Sequence, residues 1–262
     1  MVIPGNSRDM TVTDASSPSK RLEWQLAEVR DVVIETYRVK SLLLLATGWP
    51  GHLPGQHIDV RLTAENGYQA QRSYSIASPP EDELLSLTVE RVDDGEVSPY
   101  LVDELRVGDR LELRGPIGGY FVWTAEMSGP LWLIAGGSGI TPLMAMLRHR
   151  DRLPSRAPAL LIYSSRSSED IIYRDELDAM IGRDANLRVV HALTREQPKT
   201  WSGHRGRIDR ATLAANFFSP VQRPAIYVCG PTTFVESISS LLVELGYDPS
   251  GIKTERFGPS GG

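Results

Sequence analysis

Leu131-Trp-Leu-Ile-Ala135, followed at once by Gly136-Gly-Ser-Gly-Ile-Thr-Pro142, is the stretch on which the fold turns. Five apolar residues bounded by a glycine turn suit a buried strand, and Thr141-Pro142 opens a helix, because proline is pre-set for a first helical turn. The turn between them points backbone N–H groups at whatever lies above the helix N-terminus, the geometry that attracts an anion. Alone, such a turn is equally a tight connection that binds nothing, so its surroundings decide. Its spacing departs from the G-x-G-x-x-G fingerprint, so an ordinary Rossmann dehydrogenase is not the best match.

Downstream, apolar runs alternate with helical patterns: Leu143 to His149, then Ala159 to Tyr163, Tyr173 to Ile181, Leu187 to Leu193, Arg210 to Phe217, Ala225 to Cys229 and Phe234 to Leu245. Repeated β-then-α order predicts a parallel sheet with helices on both faces. Asp209 is the expected N-cap of one helix and Gly246 the expected C-cap of another. Upstream, from Leu22 to about Val122, short β-like runs (Glu28 to Val39, His57 to Leu62, Leu84 to Arg91, Asp109 to Leu113) alternate with Gly, Pro and Asp clusters, which predicts an antiparallel barrel or sandwich. The expected organisation is a flexible lead-in at 1–20, rich in Ser, Thr, Asp and Pro, a β domain at 21–127 and an α/β domain at 128–262.

Composition narrows the function classes. The chain has 262 residues, 41% hydrophobic and 23% charged, enough for two domains with separate cores. With 28 Lys plus Arg against 33 Asp plus Glu the net charge is −5, which does not favour nucleic acid or an anionic membrane. The single thiol, Cys229, rules out an intrachain disulfide, a Cys-rich zinc site and a four-thiolate iron–sulfur cluster. Electrons passing through this chain would need a separate acceptor. No apolar run is long enough to span a bilayer, and the opening residues lack a basic-then-apolar pattern; a cytoplasmic setting is the expectation.

Three segments read together, Arg72-Ser-Tyr-Ser75, Gly136 to Pro142 and Cys229-Gly-Pro231, make the chain resemble the ferredoxin–NADP⁺ reductase family from about Leu22 to Phe257. The resemblance implies a six-stranded-type antiparallel β-barrel that binds FAD, followed by an α/β parallel-sheet domain that binds NAD(P)H, with hydride passing between the two rings at the domain cleft. It implies that Arg72 pairs with a flavin phosphate, a task suited to a guanidinium fork. Tyr74 would lie against the isoalloxazine and Ser75 near its N5 edge, with Ser73 and Val89 in the same seat. Gly95-Glu-Val-Ser98 resembles the pyrophosphate segment, through Gly95 and Ser98, and Gly115 to Phe121 the turn that closes the barrel.

On the nucleotide side the resemblance places Gly136, Gly137, Gly139, Thr141 and Pro142 under the nucleotide, with the Thr141 hydroxyl near the nicotinamide and Cys229, Gly230 and Pro231 beside it. Without the family, a lone cysteine at a strand end is usually an inert buried thiol. Thr194-Arg-Glu-Gln-Pro-Lys-Thr-Trp201 resembles the family's NADP segment, with Thr194 in place of Ser and Trp201 in place of Tyr. Arg195 and Lys199 would then meet the 2′-phosphate, and Ser165-Arg166 would add a further hydroxyl and cation. This favours NADPH, while Glu196 keeps NADH open. Glu255-Arg-Phe257 matches the family's acidic, any, aromatic ending, which would stack Phe257 on the flavin; a plain core strand is the alternative.

The implied function is transfer of hydride from NAD(P)H to FAD, with electrons then delivered to a separate protein such as a ferredoxin or an oxygenase component. Ser75, Thr141, Cys229 and Glu255 are expected at the transfer site. Two alternatives stand beside it: a reductase of a small diffusible acceptor (free flavin, quinone or nitro compound), and a non-catalytic flavin-binding electron-relay subunit. Oligomeric state leaves no signal.

Overall fold

A computed structural model describes residues 22–258; the lead-in at 1–20 lies outside them. The first unit is an antiparallel sheet of six strands: β1 (Gln25–Thr36), β2 (Val39–Leu45), β3 (His57–Thr63), β4 (Gln69–Ser75), β5 (Leu85–Glu90) and β6 (Arg110–Ile117). Their order is β4-β3-β6-β1-β2-β5, and an Ile76–Leu87 bridge joins the two ends, so the sheet curls into a barrel. Ala27, Val29, Leu42, Leu44, Ile58, Val60, Leu87, Leu111 and Leu113 fill its interior.

One expectation is corrected. Glu28 to Val39 is not one strand, because the chain reverses at Tyr37-Arg38 and Thr36 pairs with Val39. Neither turn residue has positive φ, and a register slip between Ile34 and Thr36 absorbs the twist, so no glycine or asparagine marks the hairpin.

β5 shows how the barrel meets the second unit. Leu85, Leu87 and Val89 point into the barrel, while Ser86 and Thr88 on the opposite face are also buried. A polar strand face is buried here because another domain covers it.

The second unit is a six-stranded parallel sheet in the order β10-β9-β8-β7-β11-β12: β7 (Leu131–Gly136), β8 (Ala159–Ser165), β9 (Leu187–Leu193), β10 (His204–Arg205), β11 (Ala225–Pro231) and β12 (Ile252–Phe257). The helices are α1 (Ile140–Arg152), α2 (Arg174–Arg183), α3 (Arg210–Ala215) and α4 (Thr232–Glu244). Both caps form: the Asp209 carboxylate accepts from the Thr212 N–H at 2.7 Å, and Gly246 ends α4 with φ of +91°. Because β7, β8 and β9 run one way across the sheet and β11 returns to the other side of β7, the strand order reverses between β7 and β11. Ligands of open α/β sheets sit above the carboxyl ends of the strands at such a reversal.

Candidate active site

Arg72, Ser73, Tyr74 and Ser75 lie on β4, which runs along β3. The Arg72 guanidinium is half-exposed, 2.9 Å from Glu96 and donating to the Gln71 carbonyl at 2.7 Å, while the Tyr68 hydroxyl holds the other Glu96 oxygen at 2.6 Å. An exposed pair of this kind contributes little to stability, so the fork is free to exchange Glu96 for a phosphate. Ser73 donates to Asp59 at 2.7 Å, and Asp59 also pairs with Arg114 at 2.6 Å, which anchors the strand to the barrel. Tyr74 packs half-buried on the barrel core, where burial pushes its phenol up to about 12. Ser75 stands opposite His57, whose imidazole pKa is lowered by burial.

The remaining barrel residues are held by local bonds. The Gly95 N–H donates to the Val92 carbonyl at 3.0 Å, and the buried Ser98 hydroxyl accepts from the Val92 N–H at 3.0 Å, so the two form one turn. Val89 differs, because its side chain is fully inside the barrel and leaves only its backbone for a ligand.

In the second unit, Gly136, Gly137 and Gly139 connect β7 to α1, and each is glycine for its own reason. A Cβ on Gly139 would collide with the Cys229 carbonyl, and one on Gly136 would lie 2.9 Å from the Phe234 ring. Gly137 has φ of +56° and faces open space, so it is the member of the turn that lets a ligand reach the backbone. Thr141 is buried in the first turn of α1 with Pro142, and its hydroxyl donates to the Ser138 carbonyl at 2.8 Å. Cys229 pairs in register with Ala135 on one side and Glu255 on the other, and Pro231 pairs with Phe257. Burial, then the charge of Glu255, raises the Cys229 thiol, and burial alone pushes the Glu255 carboxyl up to about 7.

A cleft of about 210 Å³ opens above these strand ends, lined by Gly136, Gly137, Ser165, Arg166, Thr194, Pro231 and Phe257 among others. Two buried polar atoms at the strand ends have no hydrogen-bond partner, Ser165 Oγ and Glu255 Oε2. Unpaired buried polar atoms are costly, and of these two Ser165 Oγ belongs to a residue that lines the cleft. Ser165 and the open Gly137 backbone together suit a polar ligand such as a nucleotide.

The loop from Thr194 to Trp201 is tied tightly. Thr194 and Arg195 donate backbone N–H groups to Ser165 and Arg166, at 3.0 and 2.8 Å, which brings Arg166 and Arg195 side by side. Arg205 donates to the carbonyls of Pro198 and Trp201 at 3.1 and 2.9 Å, and so shapes the turn that carries Lys199. Trp201 is partly buried against the core, its ring N–H on the His204 carbonyl at 3.2 Å and its face edge-on to His191.

Among the described residues no hydrogen bond joins Ser75 to Thr141. The two units are linked instead through residues to which the sequence analysis gives no such role. Ser138 donates to Glu90 at 2.7 Å, Thr88 shares a short hydrogen bond with Tyr173, and Arg148 donates to the Ala77 carbonyl at 2.9 Å. Glu90, Arg38, Phe234 and Asp170 also line the cleft. Polar residues alternating with Leu and Val in β5 were the available signal, but alternation cannot say what covers the polar face. Among the described residues no helix is long and apolar enough to cross a membrane, and no cluster of three or more His, Cys, Asp or Glu side chains suits a metal ion.

Comparison with known proteins agrees with this geometry. The oxidoreductase FAD-binding domain matches residues 25–122, and the oxidoreductase NAD-binding domain matches residues 133–240. The chain is 34% identical over 210 residues to a glycine betaine monooxygenase reductase subunit of Pseudomonas aeruginosa, covering 79% of this chain but only 56% of that protein. It therefore spans about half the length of the first such relatives. It is 31% identical over 239 residues to NADH-cytochrome b5 reductase 1 of Aspergillus terreus, covering 88% of this chain and 80% of that one. The crystal structure of a cytochrome P450 reductase from Amycolatopsis superposes with a TM-score of 0.79 at 27% identity, over 92% of this chain and 71% of that one. Barrel, parallel sheet, strand-end cleft and relatives converge, and the chain belongs to the ferredoxin–NADP⁺ reductase-like family of FAD- and NAD(P)-dependent oxidoreductases.

Proposed function

We propose that this chain is an electron-transfer reductase that takes hydride from a reduced nicotinamide nucleotide onto FAD and hands electrons to a separate protein, an oxygenase component or a ferredoxin. The observation that carries this reading is the meeting of Gly136–Pro142 and Cys229–Pro231 at the β7–β11 reversal, beside the end of a barrel of the FAD-binding type. The acceptor is drawn from the relatives, since the glycine betaine monooxygenase protein is by its name a reductase subunit. FAD, when bound, supplies a carrier that accepts a hydride and releases electrons singly.

The chain's own residues position and protect. Arg72 exchanges Glu96 for phosphate, and Tyr74, on the barrel wall, presents an aromatic face to the ring system. Gly137 admits the nucleotide backbone to the helix start, and Thr141 borders the nicotinamide. Hydride transfer needs donor and acceptor atoms within about 3.5 Å, so the half-buried Phe257 has to yield its place when the nucleotide enters. Cys229, raised by burial, stays a neutral thiol at the β11 strand end, and Glu255, titrating near neutrality, holds or releases a proton at the same end. Arg166, which lines the cleft, and Arg195, bonded to it through the backbone, favour the 2′-phosphate of NADPH; the NADH named for the cytochrome b5 reductase relatives is the competing choice.

A yellow preparation, or one that turns yellow with FAD and bleaches anaerobically with NADPH faster than with NADH, is the expected result. A preparation that stays colourless with added FAD would refute the reading. Titrating ferredoxins and oxygenase components against the reduced protein separates a protein acceptor from a small diffusible one.

A further inference from the structure

We infer that Arg148 is a positioning residue for hydride transfer: it bolts the segment that carries Ser75 to the helix that carries Thr141, and thereby sets the spacing between the two halves of the cleft. The inference rests on the reductase reading above and adds to it a residue far from the expected reacting atoms.

Arg148 lies in α1 seven residues after Thr141, two helical turns and about 10 Å along the axis, so both side chains leave the same face of a rigid rod. Its guanidinium is mostly buried, with 17% of the side chain exposed. Each part of it is engaged. One nitrogen donates to the Ala77 carbonyl at 2.9 Å, and two others grip the Glu176 carboxylate of α2 at 2.9 and 2.6 Å. Its face lies 4.9 Å over the Tyr173 ring. Ala77 is two residues beyond Ser75, about one strand repeat, so there is little slack between the bolted carbonyl and the Ser75 hydroxyl.

Tyr173 closes the arrangement from the other side. It is a buried residue at φ of +60°, a conformation that a non-glycine residue keeps only when its surroundings impose it. Its hydroxyl reaches Thr88 on β5, and Thr88 bonds to Ser41 at 2.7 Å, which bonds to Glu35 at 2.6 Å. Arg148 and Tyr173 thus form one block that touches Ala77 and Thr88 of the barrel unit and is rooted in α1 and at the start of α2 of the second. A planar guanidinium makes these contacts together, whereas a lysine ammonium satisfies them only in part. On the same helix His149 and Arg152 add contacts of 2.6 Å to Glu81 and Asp82, so the chain after Ala77 is strapped along α1 for several more residues.

The test compares the wild-type chain with Arg148→Met, Arg148→Lys and Tyr173→Phe. FAD content and the visible spectrum report the flavin seat, and hydrogen–deuterium exchange over residues 75–82 reports the strap with or without bound FAD. Anaerobic stopped-flow reduction by NADPH and NADH gives the limiting rate and the half-saturating concentration separately. Arg148→Met is expected to keep FAD, to exchange faster over 75–82 and to lose about 10- to 100-fold in limiting rate, with half-saturation shifted less than about threefold. Arg148→Lys is expected to recover part of the rate, Tyr173→Phe to lose less than Arg148→Met, and reduction by dithionite to be unchanged throughout. An unchanged limiting rate or unchanged exchange in Arg148→Met overturns the inference, as does a loss that falls wholly on half-saturation. If Arg148→Met does not fold, the same comparison in Arg148→Lys and Tyr173→Phe decides, with unchanged rate and exchange in both overturning it. A wild-type chain that never binds FAD overturns the reductase reading instead, and the exchange comparison on the flavin-free chains then rules on the strap.

Discussion

Glu255 stands opposite Cys229 in the parallel β11–β12 pair, and its carboxylate charge adds to burial in holding the Cys229 thiol protonated. The two titratable groups expected at the transfer site are thus neighbours on adjacent strands, fixed by main-chain register.

A pH dependence of stability follows. Burial raises the folded-state pKa of Glu255 from 4.5 to about 7, so between these values the folded chain binds more protons at this site than the unfolded chain. The stability contribution of Glu255 is therefore greatest at low pH, falls as pH rises from about 4.5 to about 7 and is level above that. Glu255→Gln should remove this slope: relative to the wild type it should gain denaturation midpoint between pH 5 and pH 8. Parallel profiles in the two proteins would refute the assignment.

Cys229 should be slow to react. With no exposed surface and its ionisation opposed by burial and by Glu255, the thiolate is scarce and sheltered. Alkylation by iodoacetamide at pH 8 should be far slower in the native chain than in urea. Equal rates would mean that the strand end opens in solution.

Gly137 and Gly139 should separate function from stability. Gly139→Ala forces a Cβ into the Cys229 carbonyl, and overpacking against backbone costs about 1–3 kcal/mol, visible as a lowered Tm. Gly137→Ala meets no atom but must hold φ of +56°, at about 1–2 kcal/mol; its larger effect should be on nucleotide affinity, where the new methyl enters the cleft. Nucleotide titration of the two variants checks the contrast.

Arg72→Ala should weaken FAD binding without unfolding the chain. The lost pair with Glu96 is exposed and contributes at most about 1 kcal/mol, whereas charge-assisted bonds to a phosphate are worth about 1.5–3 kcal/mol, a loss of roughly 10- to 100-fold in affinity. Fluorescence titration with FAD, with Tm of the flavin-free chain as control, measures both.

Arg195→Ala should raise the half-saturating NADPH concentration far more than that of NADH. Equal losses would place the 2′-phosphate elsewhere, with Arg166 the next candidate on the same edge.

Much of the backbone around the candidate site is legible in the sequence, because its signals are local. A glycine turn after an apolar run, a proline in the first turn of a helix and an aspartate at a cap each specify backbone geometry within a few residues, and β7, α1 and the Asp209 cap form as those residues require. Alternation in Leu85-Ser-Leu-Thr-Val-Glu90 likewise predicts a strand and its inward face. The hairpin at Tyr37-Arg38 leaves no mark in the sequence because its turn needs neither glycine nor positive φ. The sequence by itself therefore determined the order of elements, the antiparallel and parallel halves and the residues gathered at the strand ends. Tertiary structure alone decided that the polar face of β5 is covered, that Arg148 holds Ala77, and that Glu255 faces Cys229 with a carboxyl oxygen left unpaired. Those outcomes depend on which distant segments share a surface, and on the low-dielectric burial that follows, and neither is encoded in spacing along the chain.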